Sequence, residues 1–112
     1  MLIAKTEYWH HFGKRTVDLF GFIDTIALNP TAWSEDTLAI QSTTADHHSH
    51  RVVKIIKHPN TLGVIRHWRV EVWSWGKKGA RGHKKEWTLR RTGFTARGNR
   101  VIAFEAEGDP LY

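Results

Sequence analysis

Residues 2 to about 11 set Leu2, Ile3, Tyr8 and Trp9 among Lys5, Glu7 and the adjacent His10 and His11, a spacing that predicts a short amphipathic helix ended by Gly13. The run KRTVDLFGFIDTIAL, closing at Leu28, reads as extended, and Gly21 in its interior marks a bulge or a close backbone approach. NPTAWSED is a turn-rich connection, and TLAIQSTT after it reads as a short buried strand flanking the first. ADHHSHRVVKIIKHP predicts a helix with Asp46 or Thr44 as N-cap and Pro59 as its stop. Its apolar side carries Val52, Val53 and Ile56, and Arg51, Lys54 and Lys57 share the other. After a turn or helical piece over 60–66, HWRVEVWSW alternates as a strand, GKKGARGHKK forms a Gly-rich basic loop, EWTLRR returns as the hairpin partner and RVIAFEA adds a last strand. Helix, strand, strand, helix, strands is the order of an α/β (α+β) protein with a small mixed β-sheet flanked by helices, in a single domain over 1–112.

Composition agrees with one folded core. Hydrophobic residues make up 40% and charged residues 25% of 112, and six tryptophans separate the chain from aromatic-poor disordered sequences. With no cysteine, disulfides, thiolate zinc sites and cysteine nucleophiles are excluded together, and a reducing compartment is expected. No apolar run approaches the roughly eighteen residues needed to span a bilayer, so a cytoplasmic location is expected.

Charge changes the picture more. Net charge is +6, yet residues 66 to 91 hold nine Lys/Arg against Glu71 and Glu86, a local +7 that leaves −1 for the remainder. So confined a patch is an electrostatic footprint for polyanions, since each neutralised phosphate releases counterions. The alternative for such a run is a solvated hairpin kept soluble by its lysines. No nucleophile-elbow, phosphate-loop or dinucleotide fingerprint is present. His47, His48 and His50 lack an i, i+4 pair and read as a solvated helix start rather than a zinc site, and His10 and His11 point apart on the first helix. Among the tryptophans, Trp68 and Trp87 are expected partly in the core, with Trp73 or Trp75 exposed.

Candidate chemistry lies at two strand ends. Asp24 heads TIAL and Gln41 follows LAI, so pairing of these runs brings both to one edge of a sheet. A carboxylate, an amide oxygen, the Ser42 carbonyl and waters suit the hard-oxygen preference of Mg²⁺. In this order of elements, with DLFGFIDTIAL, LAIQST, SHRVVKI and RVEVWSWGKKGARGHKKEW, the chain resembles the PD-(D/E)XK nuclease superfamily, particularly its small Holliday-junction-resolvase-like and phage-type members. Asp24 matches the motif aspartate, Gln41 and Thr43 stand where Glu and Lys of the triplet would be, and Glu7 corresponds to the helix acid.

The resemblance implies a restriction-endonuclease-like core with a basic β-hairpin. It also implies hydrolysis of DNA phosphodiesters with Mg²⁺ or Mn²⁺ held by Asp24, Gln41 and Glu7, on duplex or branched DNA, possible for a homodimer. Gln-Ser-Thr removes one negative charge and the lysine. Asp18 is a candidate for the lost charge if the segment bends at Gly21, and Arg51 or Lys54 for the lysine. Lys77, Lys78, Arg81, Lys84, Lys85 and Trp75 are the expected DNA contacts, with Trp73 and Trp87 beside them. The rivals are a catalytically inactive nucleic-acid-binding module of this fold, or a small protein-interaction or inhibitor domain.

Overall fold

The computed structural model describes residues 2–6, 8–10, 15–28, 37–78, 82 and 86–106. Among them the order is β1 Leu2–Lys5, β2 Tyr8–His10, β3 Arg15–Val17, β4 Thr25–Leu28, β5 Thr37–Thr44, a 3₁₀ turn Ala45–His47, α1 His48–Lys57, α2 Thr61–Ile65, β6 Arg69–Lys78, β7 Glu86–Arg97 and β8 Arg100–Glu105. Six strands form one mixed sheet in the order β1-β4-β5-β6-β7-β8, and β2 pairs with β3 apart from it. Every neighbouring pair is antiparallel except β5 and β6. Those two run parallel because α1 and α2 form the crossover between them, as parallel neighbours require. This is a small single-domain mixed α/β protein.

Strand alternation sorts the core onto two faces. Ala39, Val70, Val72 and Phe94 meet Phe22, Ile23 and Ile55 in one cluster, with Val52, Val64, Ile65 and Trp68 packed against it, so both helices cover this face. Ile55 is fully buried, and such a side chain contributes about 1.5–3 kcal/mol. On the opposite face Ala27, Leu38 and Ile40 cluster with Trp73. The buried charge sits there too. Glu71 accepts from Arg91 Nε at 2.7 Å, Trp73 Nε1 at 3.0 Å and the Arg69 guanidinium at 3.0 Å, so its carboxylate is enclosed by donors.

The structure corrects several expectations. In place of a helix over 2–11, Leu2–Lys5 pairs with Leu28 back to Thr25, and Tyr8–His10 pairs with Val17 back to Arg15. Backbone pairing with β4 outweighs a helical spacing too short to bury a face, and His10 is therefore a strand residue. On α1 the buried positions are His48 and Ile55, with Val52 half-buried, while Val53 and Ile56 are exposed. Thr44 occupies the N-cap position of the 3₁₀ turn and His47 that of α1, and neither makes a side-chain cap bond; Asp46 lies inside the 3₁₀ turn. The helix does stop before Pro59, with His58 extended as its C-cap. Gly13 and the connection over 29–36 lie outside the described residues.

Gly21 fits its expectation. The Leu19–Ile23 bridge closes a tight turn in which Phe20 (φ 54°) and Gly21 (φ 90°) are left-handed. A Cβ on Gly21 would lie 2.5 Å from His58 Nε2, so the turn docks directly on the segment after α1.

Candidate functional site

Asp24 is delivered by that turn. Its backbone N–H bonds the Ile40 carbonyl at 3.0 Å, and its carbonyl accepts the Thr6 N–H at 2.9 Å, so both neighbours of β4 hold it. Thr25 pairs with Ile40 in the antiparallel ladder, and continuing that register sets Asp24 beside Gln41. Gln41 shares its face of β5 with Ala39, the face that the helices cover.

The two side chains meet. Gln41 Nε2 donates to Asp24 Oδ2 at 3.0 Å, and the Ser42 N–H reaches the same oxygen at 2.9 Å. Thr25 Oγ1 donates to Asp24 Oδ1 at 3.0 Å. The same Gln41 nitrogen lies 3.5 Å from the Ser42 carbonyl, so a partly positive amide group stands between a carboxylate and a carbonyl oxygen. Gln41 is 5% and Asp24 9% exposed. Within this enclosure Gln41 Oε1 is buried with no hydrogen-bond partner, an acceptor left unsatisfied at a cost of about 1–3 kcal/mol.

Other candidates fall around this pair in different ways. Asp18 and Asp24 flank the bridged Leu19–Ile23 pair on opposite arms of the turn, so the segment bends as the Asp18 expectation requires. Thr43 is half-buried opposite Ser74. Arg51 and Lys54 are half-buried on α1, and Arg51 Nε is buried with no hydrogen-bond partner. Glu7, Arg81, Lys84 and Lys85 lie outside the described residues, as does the side chain of Lys78. No group of three or more His, Cys, Asp or Glu capable of holding a metal occurs among the described residues. The atoms that meet at this point are the Asp24 carboxylate, the Gln41 amide nitrogen and the Ser42 carbonyl, so an N–H donor stands between the two oxygens.

The basic hairpin is present as a ribbon. Lys77 pairs with Trp87 and Trp75 with Leu89, and the Lys77 ammonium lies 5.3 Å from the centre of the Trp87 ring. Trp75 is 48% and Trp87 65% exposed, so Trp87 belongs to the surface rather than partly to the core. Trp68 is half-buried against the core, as expected.

Two buried features escaped the sequence reading. His48, at 1% exposure, bridges Ser74 Oγ at 2.5 Å and Thr92 Oγ1 at 2.7 Å. Thr92 gives its single hydroxyl proton to Glu105 Oε1 at 3.1 Å, so it accepts from Nε2–H, and a neutral ring then takes the Ser74 proton on Nδ1. Glu105 also binds Arg90, at 2.8 Å, and this guanidinium holds its carboxyl below the usual range. The helical spacing His48, Val52, Ile55 carried the signal for burial. Glu71 and Arg91, the second feature, gave none beyond their charges. A cleft of about 560 Å³ lined by Phe20, Val64, His67 and Trp68 shares no residue with the Asp24 pair. Comparison with protein-family models, with curated proteins and with solved structures gives no match for this chain.

Proposed function

We propose that this chain is a divalent-cation-dependent DNA endonuclease of the PD-(D/E)XK type, with Asp24 and Gln41 at its centre. The observation that carries this reading is the unpartnered Gln41 Oε1, buried beside the Asp24 carboxylate. A buried acceptor next to a carboxylate is a poor arrangement for stability alone and a fitting one for a cation. The topology supports the same reading: an aspartate heads β4, the triplet lies in its antiparallel neighbour β5, and a helical crossover leads to parallel β6.

Mg²⁺ or Mn²⁺, when bound, supplies Lewis acidity toward a phosphodiester oxygen and lowers the pKa of a water. The protein does the rest. Asp24 would provide the negative charge, fixed by the Ser42 N–H and the Thr25 hydroxyl; because Gln41 Nε2 faces Asp24, Oε1 would join a cation there only with the amide reversed. Lys77 and the basic residues of the hairpin hold the DNA backbone.

One observation favours the non-catalytic alternative: among the described residues no group of three or more His, Cys, Asp or Glu is placed to hold a metal. Incubation of purified protein with plasmid, linear and four-way-junction DNA in Mg²⁺, Mn²⁺ or EDTA separates the two. Metal-dependent cutting lost in Asp24→Asn, with DNA binding retained, is the expected result. Cutting that persists in EDTA or in Asp24→Asn sinks the assignment, and binding without cutting leaves a nucleic-acid-binding module.

A further inference from the structure

We infer that the β6–β7 ribbon binds unpaired bases, stacking them on Trp75 and Trp87, so that the substrate class is DNA with single-stranded or splayed nucleotides. This deepens the nuclease reading and rests on it for its biological sense, though not for its test.

β5 ends at Thr44, opposite Trp75, and β8 pairs with β7 only from Thr92 onward. Over Trp75–Lys78 and Glu86–Leu89 the two strands therefore have each other and, among the described residues, no further strand beyond Trp75. Such an arm leaves the sheet at the end of β5 that carries Gln41, with Trp75 on the face of Trp73, opposite the face that Gln41 shares with Ala39. Val72 is Gln41's partner and Lys77 lies five residues on, a reach of about 17 Å along the strand.

Directly opposed residues and those two apart share a face, so Trp75, Lys77, Trp87 and Leu89 all look the same way. Trp75 and Trp87 are diagonal neighbours, with backbones about 7–8 Å apart, and both keep roughly half or more of their surface open. Tryptophan is usually well buried, and an arm needing only cross-strand support would gain it from one such ring. Two exposed indoles beside Lys77, on a segment where KKGARGHKK carries five cations and no acid, combine flat stacking surfaces with backbone attraction. Neither indole offers the bidentate donor and acceptor set that reads base edges in a duplex groove.

Binding is measured in EDTA, so cleavage plays no part. A labelled short deoxythymidine strand and a blunt duplex of equal charge are titrated at one salt concentration. The wild-type protein is expected to prefer the single strand and to lose tryptophan fluorescence on binding it. Trp75→Ala and Trp87→Ala should each weaken single-strand binding by roughly 5- to 150-fold while leaving duplex binding unchanged. The Trp75→Phe/Trp87→Phe double variant should retain most of the affinity and lose the quenching, which a merely structural role for the rings would not produce. Preference for the duplex, or alanine variants with wild-type single-strand affinity and an unchanged thermal midpoint, overturns the inference. Loss of cutting in the nuclease assay with this preference intact would remove the nuclease reading alone.

Discussion

At the scale of single residues, Gln41 is the informative position. Its amide donates to Asp24 at 3.0 Å, so Gln41→Glu replaces a donor with a second carboxylate at hydrogen-bonding range. Two like charges so close disfavour joint ionisation. Thermal unfolding at neutral pH should show the variant less stable than wild type in EDTA and raised more strongly by Mn²⁺; an equal response of both proteins to Mn²⁺ would count against cation binding here. Glu105 gives a pH signature. Arg90, then Thr92, favour its ionised form, lowering its pKa from 4.5. Its contribution is therefore present above the ordinary glutamate range and lost as pH falls through the lowered value. Both partners are more than 40% exposed, so the contribution is about 1 kcal/mol or less. Urea midpoints of wild type and Glu105→Gln should differ at neutral pH and converge in acid.

At the scale of elements, β6 packs closely against the 3₁₀ turn, and this contact can be tested directly. A Cβ on Gly76 would meet the Ala45 Cβ at 2.6 Å, and neither group can swing aside. Gly76→Ala should cost about 1–3 kcal/mol in chemical denaturation, and Ala45→Gly should recover part of it in the double variant. Had the single variant been neutral, the strand would have room to shift. The same contacts explain what the sequence made legible. β5, α1, β6 and β7 were readable because their apolar runs are long and bounded by Pro59 or by the Gly-rich loop. The first eleven residues were not, since Leu2, Ile3, Tyr8 and Trp9 satisfy a helical spacing, and only pairing with β4 and β3 decides for strands. The Asp24–Gln41 meeting was legible from strand ends alone. The burial of His48 was hidden by its polar character, although it sits on the same stripe as Ile55.

At the scale of the whole molecule, charge is what the fold concentrates. Of the nine cations between 66 and 91, Arg69 and Arg91 are engaged with Glu71, and Arg90 with Glu105. Five of the remainder, Lys77, Lys78, Arg81, Lys84 and Lys85, fall between positions 77 and 85. Lys77 and Lys78 end β6, where they pair with Trp87 and Glu86. A polyanion bound there should release counterions in proportion to the phosphates neutralised, giving a slope of about −0.9 per contact in log affinity against log salt. Lys77, whose side chain is exposed, can be reversed to Glu together with Lys78 and Arg81, and the thermal midpoint is expected to stay close to wild type. DNA affinity at low salt should fall, and the salt slope should flatten by about one for each cation that met a phosphate. At high salt the two proteins should converge, because screening removes the term that the reversal removed. An affinity and slope identical to wild type would assign the +7 segment to a partner other than nucleic acid, and with it the hairpin's part in holding DNA.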